Sequence, residues 1–305
     1  MIIRYGRRSF VRHCSVLGAL VAAPGCAKAV LPAAGSSRRP LRIVFYTDVH
    51  AQTELGTPDA VMRAAEMINA KKADLVIGGG DLITDGFESN PASAAPRWDV
   101  YMAMHDAIKG EHHTVIGNHD LVGALPRDGS PAVVDPRSDY KQRLGLSRTF
   151  YAFDAMGYRI ILLDSMRVSD DEFKYHGWVS EEQQEWLKEE LSHISHTTPI
   201  VVALHIPLVT AFFGTTKGST FKAQPNRVVV NNVEVLDLFA EHNLALVLQG
   251  HLHVSEFLRW KNTTFITGGA VCGKWWSGAF HGTAEGFNVV TLHADHVEWE
   301  YVGYR

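Results

Sequence analysis

Aspartate, asparagine and histidine residues follow five apolar runs of this 305-residue sequence, each at the point where the run ends. Their side chains carry carboxylate oxygens, an amide oxygen and imidazole nitrogens, the donor set of first-row transition metals such as Mn²⁺, Fe and Zn²⁺. A single such residue at a strand end is more often a cap than a ligand, but their joint occurrence favours a metal centre. The candidate ligands are Asp48, His50, Asp81, Asn118, His205, His251 and His253.

The spacing of these residues suggests how they reach one site. Asp48 and His50 are two residues apart, and His251 and His253 repeat that spacing. A locally extended backbone points both members of such a pair to the same side. Asp81 follows a run of glycines that leaves the backbone room to turn sharply.

Buried strands must position these residues, because the runs before them are continuously apolar, as in strands covered on both faces. Between the first three runs the pattern predicts helices from Thr57 to about Ala70 and around Trp98–Ile108. Further strands and helices follow to the C-terminus. We therefore predict an α/β fold with one domain over residues 41–305, in which two β-sheets pack face to face with helices outside.

Two long segments with weak periodicity interrupt this pattern. They cover Leu121–Arg148 and Leu208–Arg227. Because long segments without regular structure are usually functional or disordered, we predict that both form rims of a pocket.

Residues 1–40 differ in composition from the rest of the chain. They contain seven cationic and no acidic side chains, then the short apolar run SVLGALVAAPG and the segment Ala27-Lys28-Ala29. This order predicts an export signal and linker, and hence a periplasmic or extracellular protein. The stretch GRRSFVR resembles a twin-arginine signal, which implies the twin-arginine export machinery as a partner. The alternatives are a disordered basic tail and, for Cys26, lipid attachment.

The net charge and the cysteine content argue against a nucleic-acid-binding protein and against a disulfide-stabilised fold. The formal net charge is −4, and the first 40 residues contribute seven positive charges to it, so the remainder carries −11. An acidic protein without a basic stripe is a poor candidate for binding long nucleic acid. Only Cys272 lies outside the first 40 residues, so the remainder has no internal disulfide.

The order of the motifs resembles the calcineurin-like metallophosphoesterases from about Arg42 to the C-terminus. The matching motifs are Asp48-Val49-His50, Gly80-Asp81, Gly117-Asn118-His119-Asp120, His205-Ile206-Pro207 and Gly250-His251-Leu252-His253. The resemblance implies two divalent or trivalent transition-metal ions (Fe, Mn or Zn) bridged by Asp81. It places Asp48, His50, Asp81 and His253 at the first ion, and Asp81, Asn118, His205 and His251 at the second.

The implied chemistry is hydrolysis of a small phosphoester by a metal-bound hydroxide, because two metals clamp the phosphoryl oxygens and lower the pKa of a bound water. The sequence is most similar in style to small bacterial members that cleave cyclic nucleotides or glycerophosphodiesters, which favours a phosphodiesterase. The alternatives are a phosphomonoesterase and a metal-binding descendant without catalysis. The sequence contains neither a G-x-S-x-G nucleophile motif nor a phosphate-binding P-loop.

His119 has a separate role in this resemblance. Together with Asn118 it is expected to face the substrate, where it would hold a phosphoryl oxygen and protonate the leaving oxygen. A carboxylate usually orients such a histidine. Asp85 is our first candidate for that role and Asp120 the second.

A glycine- and aromatic-rich stretch is the candidate site for the organic part of the substrate. Trp275, Trp276 and His281 lie in it, and we predict that they stack a base or pack an acyl or glycerol group. The alternative is that both tryptophans are core or sheet-edge residues.

Overall fold

The computed structural model of the protein describes residues 3–6 and 39–304. The strands of this part are β1 Ile3–Gly6, β2 Leu41–Tyr46, β3 Leu75–Gly78, β4 His112–Thr114, β5 Tyr151–Ala155, β6 Tyr158–Leu162, β7 Met166–Val168, β8 Tyr175–Gly177, β9 Pro199–Ala203, β10 Asn243–Gln249, β11 Glu256–Trp260, β12 Thr263–Thr267, β13 Gly286–Leu292 and β14 His296–Gly303. The α-helices are α1 Thr57–Ala70, α2 Pro91–Ala107, α3 Ser138–Leu144, α4 Glu181–Ser192, α5 Phe212–Lys217 and α6 Asn232–Asp237, and single 3-10 turns cover Gly86–Glu88 and Asn118–Asp120.

Two six-stranded mixed sheets form the centre of the molecule. The first has the order β1-β14-β13-β2-β3-β4, in which β2, β3 and β4 are parallel. The second has the order β11-β12-β10-β9-β6-β5, in which β12, β10, β9 and β6 are parallel. Strands β7 and β8 form a separate antiparallel hairpin.

Strand β2 shows why the sheets pack face to face with helices outside. Ile43 and Phe45 lie in a core with inward residues of the second sheet, such as Leu248. Val44 and Tyr46 belong to another core that contains the buried faces of α1 and α2, and the hydroxyls of Tyr46 and Tyr101 are 2.8 Å apart. Burial on both faces explains the continuous apolar run, and the predicted two-sheet sandwich is confirmed.

The helix boundaries differ from the predictions where capping outweighs hydrophobic pattern. The first helix has the predicted bounds, whereas α2 begins seven residues before the predicted Trp98. Asn90 caps α2, because its side chain accepts a hydrogen bond from the backbone N–H of Ser93, and Pro91 occupies the first helical position. The long segments predicted as rims contain the short helices α3 and α5.

Most of the predicted export signal lies outside the described residues, including the paired arginines, the apolar run and Cys26. The signal and the domain boundary near residue 40 therefore remain predictions. Residues 3–6 form β1, which pairs with β14, so a product starting near Leu41 would leave β14 at the sheet edge. Among the described residues, no helix is both long and apolar enough to cross a membrane.

Loops after the parallel strands of both sheets meet at one side of the sandwich. In the first sheet, the N–H of Asp48 after β2 donates to the carbonyl of Gly80 after β3, at 2.9 Å. In the second sheet, the N–H of Gly250 after β10 donates to the carbonyl of His205 after β9, at 2.8 Å. The imidazole of His205 also hydrogen-bonds the carbonyl of Gly79, which ties the two sheets together.

Candidate metal centre

All seven predicted ligands lie at this junction, and each is at most 6% exposed. Each one follows the carboxyl end of a parallel strand, as the apolar runs predicted. Asp48 and His50 follow β2, Asp81 follows β3, Asn118 follows β4, His205 follows β9, and His251 and His253 follow β10.

The first cluster of ligand atoms surrounds one oxygen of Asp48. His253 Nε2 lies 3.3 Å from Asp48 Oδ1 and 3.1 Å from His50 Nε2, and His50 Nε2 lies 3.5 Å from Asp81 Oδ2. Asp48 Oδ1 is buried and has no hydrogen-bond partner among the described residues. A buried carboxylate oxygen without a partner is costly unless a cation binds it.

The second cluster shares a carboxylate oxygen with the first. His205 Nε2 lies 3.2 Å from Asp81 Oδ2 and 3.2 Å from Asn118 Oδ1. His251 Nδ1 lies 3.2 Å from His205 Nε2. Asp81 Oδ2 therefore contacts ligand atoms of both clusters, which is the position of a bridging carboxylate.

Backbone carbonyls set the tautomers of three of the histidines. His253 donates from Nδ1 to the carbonyl of Gly273 at 2.6 Å, His205 from Nδ1 to that of Gly79 at 2.7 Å, and His251 from Nε2 to that of Asn226 at 2.9 Å. A neutral imidazole that donates from one nitrogen presents a lone pair at the other. These lone pairs point into the clusters, where they and the carboxylates fit two transition-metal ions.

The pKa values of the buried ligands also show that the carboxylates of this centre need positive charge beside them. Burial alone would raise the pKa of Asp48, but the neighbouring His253 outweighs it and lowers that pKa to about 2. Burial would lower the pKa of His205, but the charge of Asp81 outweighs it and raises that pKa to about 9. Protons on these histidines supply a counter-charge that bound cations would replace.

Both carboxylates are held through their other oxygen. Asp48 Oδ2 accepts hydrogen bonds from the Thr47 hydroxyl at 2.6 Å and from the N–H of His251 at 3.0 Å. Asp81 Oδ1 accepts the N–H of His119 at 2.8 Å. Each carboxylate is thereby fixed with one oxygen directed at the ligand clusters.

The backbone of the ligand pairs is left-handed, so the extended conformation predicted from their two-residue spacing is wrong. The φ angles are 54° at Asp48, 45° at His50, 72° at His251 and 55° at His253, and Asp81 has 51°. Non-glycine residues in this region are strained by about 1 kcal/mol or more, and such strain concentrates at functional sites.

Gly117 allows the loops after β3 and β4 to touch. A Cβ atom at this position would lie 2.0 Å from the backbone nitrogen of Asp81. The side chain of Asp120 ties the same loops together, because Oδ1 accepts the N–H groups of Leu82 and Ile83 and Oδ2 accepts that of Gly117. Asp120 is therefore a structural link, and Asp85 is the carboxylate beside His119.

His119 lies at the open side of the first cluster, with its ring edge-on to that of His50 at 4.6 Å. Its Nδ1 accepts the backbone N–H of Asp85 at 2.9 Å, whereas the Asp85 carboxylate is 59% exposed and 3.7 Å from the same nitrogen. Asp85 thus orients His119 chiefly through its amide rather than through the predicted carboxylate contact. In neutral His119 the proton then resides on Nε2.

The two neighbouring tryptophans lie in different environments. Trp275 is 45% exposed, and its ring centroid lies 4.5 Å from that of His253, at the rim of the centre. Trp276 is buried and donates its indole N–H to the carbonyl of His50 at 2.9 Å, so the structure does not bring it to the rim. His281 lies farther out, with its ring 4.5 Å from that of Phe280.

Sequence reasoning missed Tyr175 at the site. A cleft of about 160 Å³ opens beside His119 and is lined by Asp85, Phe87, Glu88, Asn118, His119, Lys174 and Tyr175. Burial raises the pKa of Tyr175, and the charge of Asp81 raises it further. Tyr175 comes from the β7–β8 hairpin, whose short strands carry no polar end pattern.

A family model described as calcineurin-like phosphoesterase matches residues 41–255. No curated protein sequence matches the chain.

Solved structures show the same fold at low sequence identity. The chain is similar to a dimetal phosphatase from Danio rerio, with 18% identity, 87% of this chain and 96% of that chain covered, and a TM-score of 0.65. It is also similar to GAP50 of Plasmodium, described as the anchor in the inner membrane complex, with 17% identity, coverage of 87% and 85%, and a TM-score of 0.53.

Proposed function

The chain belongs to the calcineurin-like phosphoesterase family, and we propose that it hydrolyses small phosphate esters, preferably phosphodiesters, at a centre of two transition-metal ions. The observation that carries this proposal is the position of Asp81 Oδ2. This single oxygen lies 3.5 Å from His50 Nε2 in one cluster and 3.2 Å from His205 Nε2 in the other.

Each ligand cluster offers two imidazoles and one side-chain oxygen besides Asp81, and that oxygen is a carboxylate in the first cluster and an amide in the second. Asp48, His50 and His253 would hold the first ion and Asn118, His205 and His251 the second, with Asp81 between them. When bound, two such ions supply Lewis-acid stabilisation of phosphoryl charge and activation of a water molecule. The chain itself contributes the fixed lone pairs and excludes water from the buried side of the centre.

His119 would act on the ester oxygen that departs. Its Nε2–H is free to donate to that oxygen because Nδ1 is held by the N–H of Asp85. Donation from Nε2–H would stabilise the negative charge that develops on the ester oxygen as its bond to phosphorus breaks. A positioned acid of this kind contributes about 10²-fold to 10⁴-fold in rate.

The charges at the cleft support a diester preference. Lys174, the cation among the residues that line the cleft, is paired with Glu88, while Asp85 stays exposed. A diester carries one negative charge and a monoester close to two, so Asp85 repels the diester less. The opposite preference would indicate a phosphomonoesterase.

The test compares bis(p-nitrophenyl) phosphate with p-nitrophenyl phosphate. The full chain is stripped with chelator and assayed alone and with Mn²⁺, Fe²⁺ or Zn²⁺. We expect metal-dependent hydrolysis with a higher kcat/KM for the diester, loss of turnover in Asp81→Asn, and retention in the exposed control Asp99→Asn. Absence of metal-dependent turnover of either ester would refute the phosphoesterase proposal.

We also propose that the protein is exported through the twin-arginine route. The cationic head, apolar run and Ala27-Lys28-Ala29 support this proposal. Replacement of Arg7 and Arg8 by lysine should retain the protein inside the cell in a fractionation experiment. Unchanged distribution of that variant would contradict the route.

A further inference from the structure

A large apolar cavity lies beside the metal centre and has no role in the chemistry described above. It measures about 900 Å³, which is within the range of small-molecule sites. Its walls come mainly from α5 and the loop that follows, and include Leu208, Phe213, Phe221, Pro225 and Val228. We call it the apolar pocket.

The apolar pocket adjoins the second ligand cluster directly. Pro225 lines the pocket, and the carbonyl of the next residue, Asn226, accepts the Nε2–H of His251 at 2.9 Å. Phe173, at the same pocket wall, is linked to Asn226 by a hydrogen bond of 3.5 Å. A ligand with its phosphoryl group at the metal centre could therefore extend into the pocket.

A chain of aromatic rings connects the pocket with the other ligand cluster. Its ring centroids are 4.5 to 6.0 Å apart, and it begins at Trp275, which lies over His253. The rings, in order, are Trp275, Phe280, His281, Phe212, Phe213 and Phe221. The surface from one metal cluster to the pocket is thus continuously aromatic.

The charge of this segment matches an anionic ligand with an apolar body. Residues 208–230 contain Lys217, Lys222 and Arg227 and no acidic residue, although the chain after residue 40 carries a formal charge of −11. Arg227 directly follows Asn226, whose carbonyl accepts the Nε2–H of His251 at 2.9 Å. One cation of the segment is thus the chain neighbour of the residue that contacts the second ligand cluster.

The lining favours an alkyl chain over a nucleobase. Ten of the sixteen lining residues are apolar, and two of the five polar ones are engaged with the backbone, because Thr210 accepts the N–H of Phe212 and Asn232 donates to the carbonyl of Leu208. The other three are Ser219, Lys222 and Gln224. A base needs hydrogen-bond partners for its edge, whereas an alkyl chain needs only apolar surface.

We propose that the apolar pocket binds a long alkyl or acyl chain of the substrate, so that the substrates are phosphoesters of lipid-like groups. This inference rests on the proposed function and adds the substrate class to it. Burial of each methylene stabilises binding, which corresponds to a gain of up to about fourfold in kcat/KM when it is expressed in the transition state.

The test uses p-nitrophenyl diesters that differ only in the second group: methyl, butyl and octyl, at concentrations below aggregation. We expect kcat/KM with Mn²⁺ to rise from methyl to octyl by about twofold to fourfold per methylene until the pocket is filled. Phe213→Ala should lose most of that gain, whereas Trp260→Ala, which replaces an exposed aromatic on β11, should keep both the gain and the methyl-ester rate. Equal kcat/KM for methyl and octyl esters, or a thymidine ester preferred over the octyl ester, would overturn the proposal.

A second measurement does not depend on turnover. The probe 1-anilinonaphthalene-8-sulfonate is bound to the full chain, and its fluorescence is followed as octylphosphonate or methylphosphonate is added. We expect octylphosphonate to displace the probe from the wild type at concentrations at least tenfold lower than methylphosphonate, and Phe213→Ala to remove that difference. If no ester is hydrolysed but this difference is observed, the proposed hydrolysis fails and the pocket proposal stands. If the two phosphonates displace the probe equally, the pocket proposal fails whatever the turnover.

Discussion

Replacement of Gly117 by alanine perturbs the metal centre without touching a ligand side chain. The backbone of Gly117 has φ of −107°, which alanine adopts without strain, so the effect is purely steric. The added Cβ would lie 2.0 Å from the nitrogen of Asp81 and 2.3 Å from its Oδ1, whereas ordinary contact begins at 3.4 Å. The loops after β3 and β4 must therefore separate by about 1.4 Å.

That separation exceeds what a metal site tolerates. Ligand distances in such sites vary by about 0.2 Å, and overpacking costs about 1–3 kcal/mol of stability. The shift moves the bridging Asp81 away from Asn118 and stretches the 2.8 Å bond from the N–H of His119 to Asp81 Oδ1. We expect Gly117→Ala to lose the second metal and to lower kcat for bis(p-nitrophenyl) phosphate about 100-fold.

The assay combines urea unfolding, metal content after gel filtration, and turnover. Gly303→Ala is the matched control, because its Cβ would meet nothing closer than 3.7 Å. The control should keep stability, metal content and rate within experimental error. If Gly117→Ala keeps two metals per chain and wild-type turnover, the loops do not depend on this close contact and the reasoning is refuted.

Three further predictions concern single side chains. His119→Ala should keep both metals and lose about 10²-fold to 10⁴-fold in kcat, because His119 is not one of the seven proposed ligands and its Nε2 is proposed to donate to the leaving oxygen. Asn118→Ala should release the second ion at lower chelator concentration than the wild type, because its Oδ1 lies in that cluster. His112→Gln should make the stability of the metal-free fold less sensitive to acid. Burial and the nearby His105 lower the pKa of His112 from 6.5 in the unfolded chain to about 3 in the native state. Between these pH values the unfolded chain therefore binds a proton that the native state does not. Stability lost on acidification below pH 6.5 should be about 1.4 kcal/mol per pH unit smaller in the variant.

Each of these three predictions has a result that would contradict it. Normal diester hydrolysis by His119→Ala would remove it from the mechanism, and equal retention of both ions by Asn118→Ala would remove that residue from the second cluster. Parallel stability curves for His112→Gln and wild type between pH 6.5 and 4.5, measured by urea unfolding in chelator, would show that His112 titrates normally in the native state.

Hydrophobic pattern was sufficient to predict the sandwich and the ligand-bearing strand ends. Strand β2 is buried on both faces, so its apolar run was continuous and its end at Asp48 was easily seen. The conformation after that end was not predictable, because φ of 54° at Asp48 depends on hydrogen bonds to the loop after β3. The start of α2 was encoded by Asn90 and Pro91, and the hydrophobic pattern alone missed it.

At the site, the sequence could not show which of two neighbouring residues of the same type is buried. Trp275 and Trp276 have the same chemistry, and only the packing under His50 decides which one is buried. The contact of Asp85 with His119 runs through a backbone amide, which no side-chain pattern can indicate. Tyr175 is brought to the cleft by the β7–β8 hairpin, which is separate from the loops that carry the seven ligands.

The most direct measurement is the electron paramagnetic resonance spectrum of the stripped chain after reconstitution with Mn²⁺, together with its metal content. Asp81 Oδ2 is shared by both clusters, so we predict two Mn²⁺ per chain and a multiline spectrum from two exchange-coupled ions. One ion per chain, or two ions whose spectra are uncoupled, would contradict a centre bridged by Asp81.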